Sequence, residues 1–345
     1  MNLLQDIYYQ KEYAALYAKE AELFEFEYIE NDLVFKNLAI KKPITRISRK
    51  PITEGYYDLE TPYGYGGYYA NTTEEGFVAR ALAAYKKKCL DENIIAEFVR
   101  FHPFNEFPAA FGAKLNFCAL DRQVMILDLS LSDEERWKNY GGTTRNILRK
   151  GQSQLAISQT KDIQSFMTIY NETMDRNKAA DFYYFEKEYY KNLLAIPGVV
   201  LLKIDSRPSK GDSQYLTIDR DETFDRLGCG GLVAMGFMMF GKDIAHYHLS
   251  ANKAENMKLN ANYIMLDSAF EMAKKRGCKY FLLGGGRTNS PDDPLLKFKQ
   301  KFTSLTKDFY IAGNVINEQK YTQYVKIYEE QQVTSDVKYF LKYRL

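Results

Sequence analysis

The sequence lacks the devices that hold small or secreted folds together. Its 345 residues include four cysteines, Cys89, Cys118, Cys229 and Cys278, far apart and none in a CxxC pair. That spacing argues against a disulfide scaffold or a cysteine-built zinc site, and unpaired thiols fit a reducing compartment. No run approaches the ~20 apolar residues of a membrane span. The longest, GLVAMGFMMFG, is strand-sized. The N-terminal MNLLQDIYYQKEYAALYAKE breaks its apolar residues with charges every few positions, so it does not read as a signal peptide and a cytoplasmic location is expected. Charge of one sign is also missing. With 47 basic and 45 acidic residues the net charge is +2, which argues against a dedicated DNA-binding chain but leaves room for a local basic groove. There is no GxSxG nucleophile elbow, and no Ser or Cys stands in a persuasive nucleophile context. Direct transfer between two bound substrates therefore fits better than a covalent intermediate.

What the sequence has is aromatic and hydrophobic mass: 28 Tyr, 22 Phe and 46% hydrophobic residues overall. That builds a large core without disulfides, and the tyrosines suit either sheet packing or clefts that grip extended ligands. The length allows roughly two or three domains. Helical patterns are expected over residues 6–22, from TEEGFVARALAAYKKKCLDEN with Thr73 as cap, over 132–151 with a break at Gly141–Gly142 and an end at Gly151, in DIQSFMTIYNETMDRNK, in NANYIMLDSAFEMAKKRG, and from Glu318 onward. Strands are expected in IIAEFVRF, RQVMILDLSL, GVVLLKID, GLVAMGFMMF, DIAHYHLSA and KYFLLGG, with a tight turn at Gly241–Lys242. A polar connection covers SRPSKGDSQYLTIDRDETFDRLG. Such mixing gives an α/β (α+β) chain, and the faint likeness of ALAAYKKKCLDENIIAEFVRF to AFEMAKKRGCKYFLLGG suggests an internal repeat.

The stretch YFLLGGGRTNSPDDPLLKFKQKF has the strand, glycine bend and helix of a phosphate loop. Its spacing denies that reading. Arg287 follows Gly286 where a P-loop needs lysine, no lysine comes before Lys297, and GGGRTN lacks the third glycine of a dinucleotide fingerprint. What remains is backbone at Gly285 and Gly286 that can pass close to a ligand, Arg287 beside it, and N–H groups at the next helix start that can face an anion. Asp293 is placed to cap that helix and Pro294 to occupy its first turn. At about 100° per residue, Leu295, Phe298 and Phe302 form one stripe. Lys297 and Lys301 lie opposite, whereas Lys299 projects toward the buried side. A lysine there snorkels, pairs with an acid, or faces a cleft as an anion or oxyanion partner.

Other candidates are scattered. TPYGYGG carries Tyr63, Tyr65, Gly66 and Gly67 in a bendable loop that reads either as a structural turn or as a cleft wall. Arg145 and Arg149 share a helix face by their i, i+4 spacing and can grip phosphate, or simply be solvated. Arg100 and His102 end a strand. His246 and His248 alternate on another, so both are expected on one face. Two histidines can begin a zinc site, but the neighbouring sequence offers no third ligand, and no metal is expected. His248 is better placed as a hydrogen-bond donor or general base.

Together, TPYGYGG (61–67), WKNYGGTTRNILRKG (137–151), YHLSA with NANYIMLDSAFEMAKKRG (247–277), and FLLGGG with DPLLKFKQKF (281–302) resemble, in order, segments of the Fem family of aminoacyltransferases and their GCN5-related N-acyltransferase relatives. The resemblance implies two tandem acyltransferase-like domains, each a mixed twisted sheet flanked by helices. They would comprise residues 1–129 and 130–316, with 317–345 packing back on the first. It implies amide formation between an activated acyl group and a primary amine on a phosphate-bearing cell-envelope precursor, a peptidoglycan peptide or amino sugar. The donor would be aminoacyl-tRNA or acyl-CoA, used as a co-substrate and not as a tightly bound cofactor. Phe298 and Lys299 match the family's FK pair, whose lysine is associated with substrate phosphate and with charge in the transfer. Two departures stand out. MKLNAN (257–262) has no glycine where coenzyme A enzymes hold pyrophosphate on backbone N–H groups, and no heptad pair is present to form a coiled-coil arm. A catalytically silent relative that binds a nucleotide or phosphate ligand, and an acyl-CoA enzyme acting on a small amine, are the other readings.

Overall fold

Alternation of apolar and charged residues in ELFEFEYIE and its partner builds the first sheet edge. In the computed structural model, which describes residues 1–207, 231–331 and 339–345, Glu22–Glu30 pairs antiparallel with Leu33–Pro43. The turn between them puts Asn31 at φ 52°, a left-handed conformation that asparagine tolerates. The chain divides into two units, Met1–Val124 with Lys307–Leu345, and Met125–Thr306.

In unit one the strand order is Glu22–Glu30, Leu33–Pro43, Tyr57–Glu60, Ile94–Arg100, Thr306–Val315 and Phe117–Asp128. Tyr57–Glu60 and Ile94–Arg100 run parallel, so the chain needs a crossover between them. The helix Glu75–Asp91 supplies it, burying Phe77, Val78, Ala81, Tyr85 and Cys89 at helical spacing. Thr73 is not its cap. Glu74 holds that position, and the Thr72 hydroxyl accepts from the Glu74 N–H at 3.1 Å. Residues 6–22 are not one helix but short turns around Lys11–Ala15, followed by the first strand. Residues 306–315, which the expected domain range 130–316 includes, form a strand that pairs antiparallel with Ile94–Arg100, and all but the first belong to unit one. A separate core joins Ile44, Ile47 and Ile95 to Tyr324, Leu341 and Tyr343, which holds the helix Glu318–Gln331 and the last residues against this unit.

In unit two the order is the end of Phe117–Asp128, then Tyr280–Gly284, Ile244–Asn252, Leu232–Phe240, Val199–Ser206 and Leu155–Thr160. The Gly241–Lys242 turn joins Leu232–Phe240 to Ile244–Asn252 as an antiparallel pair. The helix Ala261–Lys275 buries Ile264, Met265, Ala269, Phe270 and Ala273 against this sheet's core and stops before Gly277 at φ +82°. The expected helix over 132–151 is two helices. Asp133–Asn139 is opened by a reciprocal Ser132–Glu135 capping box, and Gly142–Gln154 follows the glycine break. Gly151 does not end the second helix. A Cβ there would lie 2.5 Å from Ile264 Cγ1, so glycine serves close approach to Ala261–Lys275. Cys229 and most of the expected polar connection lie outside the described residues. Among the described residues, Cys89, Cys118 and Cys278 form no disulfide with one another, and no helix is long and apolar enough to cross a membrane.

Candidate active site

Unit two contains a place where neighbouring strands part. Ile244–Asn252 and Tyr280–Gly284 are parallel, yet only Ile244–His246 is in register with Tyr280–Leu282. Beyond that point both strands become irregular. On the first, Tyr247 pairs with Met238 and Leu249 with Phe237, leaving His248 as the extra residue of a β-bulge. On the second, register shifts between Leu282 and Gly284, and Gly284 takes φ 78°. Backbone groups released from a ladder need new partners, and bulges re-aim side chains next to such openings.

The glycine loop after Tyr280–Gly284 is organised by one carboxylate. Asp293 accepts from the Arg287 and Thr288 N–H groups at 3.0 Å each, and from Leu295 and Leu296 N–H at 2.9 and 3.1 Å. Burial would raise its pKa, but the backbone bonds from Leu296, Thr288 and Arg287 outweigh that and bring it down to about 2. The expectation of an anion at this helix start is therefore corrected: the chain's own carboxylate already takes those N–H groups. Gly286 is required by the same packing, since a Cβ would lie 2.7 Å from Asp293 Cγ. The cap and Pro294 stand where the sequence put them, although the helix is short, Pro294–Lys299. The reach of Asp293 back to residues 287 and 288 was not foreseen; only its position before Pro294 hinted at a special role.

The same helix places Lys299. The residue is buried, and its ammonium donates to the Gly285 carbonyl at 2.6 Å. Phe298 is half-buried, edge-on to Tyr263 at 5.1 Å, and Phe302 enters the core. Lys297 points outward to Asp292 at 2.7 Å. The periodicity thus separates the two lysines as expected. A buried cation lies at the loop that leaves the parted strand.

His246 is buried and keeps its place in both ladders. His248 is the bulge residue, so strict alternation does not describe the pair. Burial, with a smaller contribution from His246, lowers the His248 pKa to about 3, and the ring is neutral near pH 7. Tyr189 Oη lies 3.2 Å from His248 Nε2, a partner for which no local sequence signal exists. Arg145 is half-buried and Arg149 exposed on Gly142–Gln154, with Arg149 bonded to Asn146 at 3.4 Å. Arg287 is exposed and its guanidinium reaches Asn177 at 3.3 Å.

The remaining candidates form a cluster of their own in unit one. The Tyr63 carbonyl accepts from Tyr13 at 2.7 Å, and the Gly66 carbonyl accepts from Tyr9 at 2.7 Å and from His102 N–H at 3.0 Å. Tyr65 packs edge-on to Tyr8 and Phe309, and burial raises its phenol. Gly67, at φ +89°, leaves no room for a Cβ beside Phe101 and Val99. Arg100 stacks on Phe98 at 4.8 Å, and its N–H is bonded to the Thr61 hydroxyl at 3.0 Å. The buried His102 accepts from Phe104 N–H at 3.2 Å. The tyrosine-glycine loop is thereby packed on the N-terminal aromatic residues.

No protein-family model and no curated protein matches this chain. Solved structures do. The crystal structure of FemX superposes with a TM-score of 0.70 at 14% identity, covering 93% of this chain and 94% of that one. A conserved protein of unknown function from Bacteroides thetaiotaomicron VPI-5482 gives 0.52 at 12% identity, covering 91% of each chain. The C-terminal DUF2156 domain of a putative lysylphosphatidylglycerol synthetase from Agrobacterium fabrum gives 0.50 at 12%, covering 95% and 98%. At such identities the likeness defines the fold: this chain is a mixed α/β protein with the fold of FemX.

Proposed function

We propose that this protein is an N-acyltransferase that joins an activated acyl or aminoacyl group to an amine on a cell-envelope precursor. The observation that carries this reading is Lys299, a buried ammonium bonded to the Gly285 carbonyl at the exit of a parted strand. Attack by the amine nitrogen forms the C–N bond and puts negative charge on the acyl oxygen, which a fixed cation stabilises. The carbon–oxygen or carbon–sulfur bond to the carrier then breaks, its electron pair leaves with the carrier, and the ammonium proton passes to the leaving group or to solvent. His248, its pKa lowered to about 3 by burial, is too weak a base to hold that proton at pH 7 and acts as a hydrogen-bonding group.

The turn before Ala261–Lys275 favours the tRNA donor. It lacks glycine, and Asn260 takes φ 53° with its side chain bonded to the Lys258 carbonyl at 3.1 Å. Backbone there is less open to a pyrophosphate than a glycine loop. A screen of charged tRNAs and acyl-CoAs against mixed precursor amines tests the reading. Turnover of a charged tRNA is expected, and Lys299→Ala should lower it by a hundredfold or more, on the order of an oxyanion-stabilising group, while leaving the circular dichroism spectrum unchanged. If the wild type turns over no donor but binds a phosphate-bearing ligand, the silent-relative reading takes its place.

A further inference from the structure

The bulge at His248 has a dedicated neighbour. The helix Lys187–Ala195 is fixed by Tyr190, which is fully buried and packs on Phe166 at 5.3 Å and parallel to Phe237 at 6.0 Å. Phe237 is the residue paired with Leu249 on the far side of the bulge. Tyr190 thus ties the helix to Leu232–Phe240, the strand paired across the bulge. The adjacent Tyr189 is nearly buried, and its ring is stacked on Phe185 at 4.0 Å and 13°. Its hydroxyl therefore reaches His248 Nε2 from a position set by packing on both sides.

We propose that Tyr189 is a positioning residue that holds His248 in the tautomer protonated on Nδ1, with Nε2 accepting from the phenol. A neutral imidazole has one donor and one acceptor nitrogen, and the partner of one nitrogen decides where the proton sits. A phenol is a better donor than acceptor, so Nε2 carries the lone pair. The ring then has a fixed orientation and a fixed donor at the bulge, without rearranging during turnover. The kinetic part of this proposal rests on the acyltransferase reading; the tautomer does not.

Long-range proton–nitrogen spectra of the full chain, labelled at histidine and assigned with His248→Asn, test it at pH 7. The wild type should show His248 protonated on Nδ1, and Tyr189→Phe, which keeps the stack on Phe185, should move protonation toward Nε2. Protonation on Nε2 in the wild type, or an unchanged tautomer in Tyr189→Phe, overturns the proposal. Should Tyr189→Phe not fold, the wild-type spectrum alone decides. With an active donor in hand, Tyr189→Phe should lower kcat about tenfold, on the scale of one hydrogen bond, with KM little changed. An unchanged kcat removes the positioning role. Absence of any turnover in the wild type removes the acyltransferase reading and leaves the tautomer result standing on its own.

Discussion

Two buried carboxyl groups respond to pH in opposite directions. Asp293 is held down to about 2 because backbone N–H bonds outweigh its burial. Its contribution is present above the unfolded value of about 3.9 and is lost as pH falls toward the folded value. Asp293→Ala should cost about 1–2 kcal/mol from the lost cap alone, and more from the freed residues 287 and 288. Asp293→Asn should keep most of the cap but lose the pH dependence between about 4 and 2, readable as the urea midpoint. Glu97 behaves the other way. It has no exposure and accepts from Asn37 and Tyr85 at 2.8 Å each, and from Tyr68. Burial raises its pKa, and the hydrogen bonds from Tyr68, Tyr85 and Asn37 do not cancel the rise. Its folded form favours the proton, so its contribution is full below about 4.3 and declines as pH rises through the raised value. The midpoint difference between Glu97→Gln and the wild type should therefore grow in favour of the variant from pH 5 to pH 8. A flat difference would rule out the protonated buried acid.

Helices announced themselves through spacing, and their contacts did not. The apolar positions of Glu75–Asp91 and Ala261–Lys275 follow the helical repeat, and both elements are found where that repeat put them. Gly151 looked like a helix end because glycine usually is one, but its use depends on Ile264, more than a hundred residues away in the chain. Gly151→Ala should cost about 1–3 kcal/mol by overpacking. Pairing it with Ile264→Ala should cost less than the two single changes summed, because the second opens the space that the first fills. Additivity in a double-mutant cycle of thermal melts would show that the helices simply move apart. Strands were harder to read. No strand was expected in ELFEFEYIE, which adjoins a helix-like stretch, and Leu155–Thr160 follows a helix without a break.

For the whole chain, local spacing was more readable than assembly. The inward lysine and the absence of a nucleotide loop follow from local spacing. The opening beside Lys299 does not, because a bulge is a mismatch between two strands and appears only once their pairing is known. The return of the chain to unit one after Thr306 is equally non-local, and its last residues show how that return is held. Arg344 makes a two-pronged contact with Asp58, at 2.7 Å through Nε and 2.8 Å through Nη2, and also donates to the Pro43 and Lys42 carbonyls at 2.9 and 3.0 Å. The Asp58 side chain is wholly buried, whereas Arg344 keeps some exposure. Removing the arginine strands a carboxylate inside unit one, so Arg344→Ala should destabilise it by about 3 kcal/mol or more. Most of that loss comes from the stranded charge and not from the attraction itself. Adding Asp58→Asn should therefore recover part of it, measured by denaturant unfolding followed through unit-one tyrosines. If the double variant is as unstable as Arg344→Ala alone, the latch works through the backbone carbonyls of residues 42 and 43 and not through the buried ion pair.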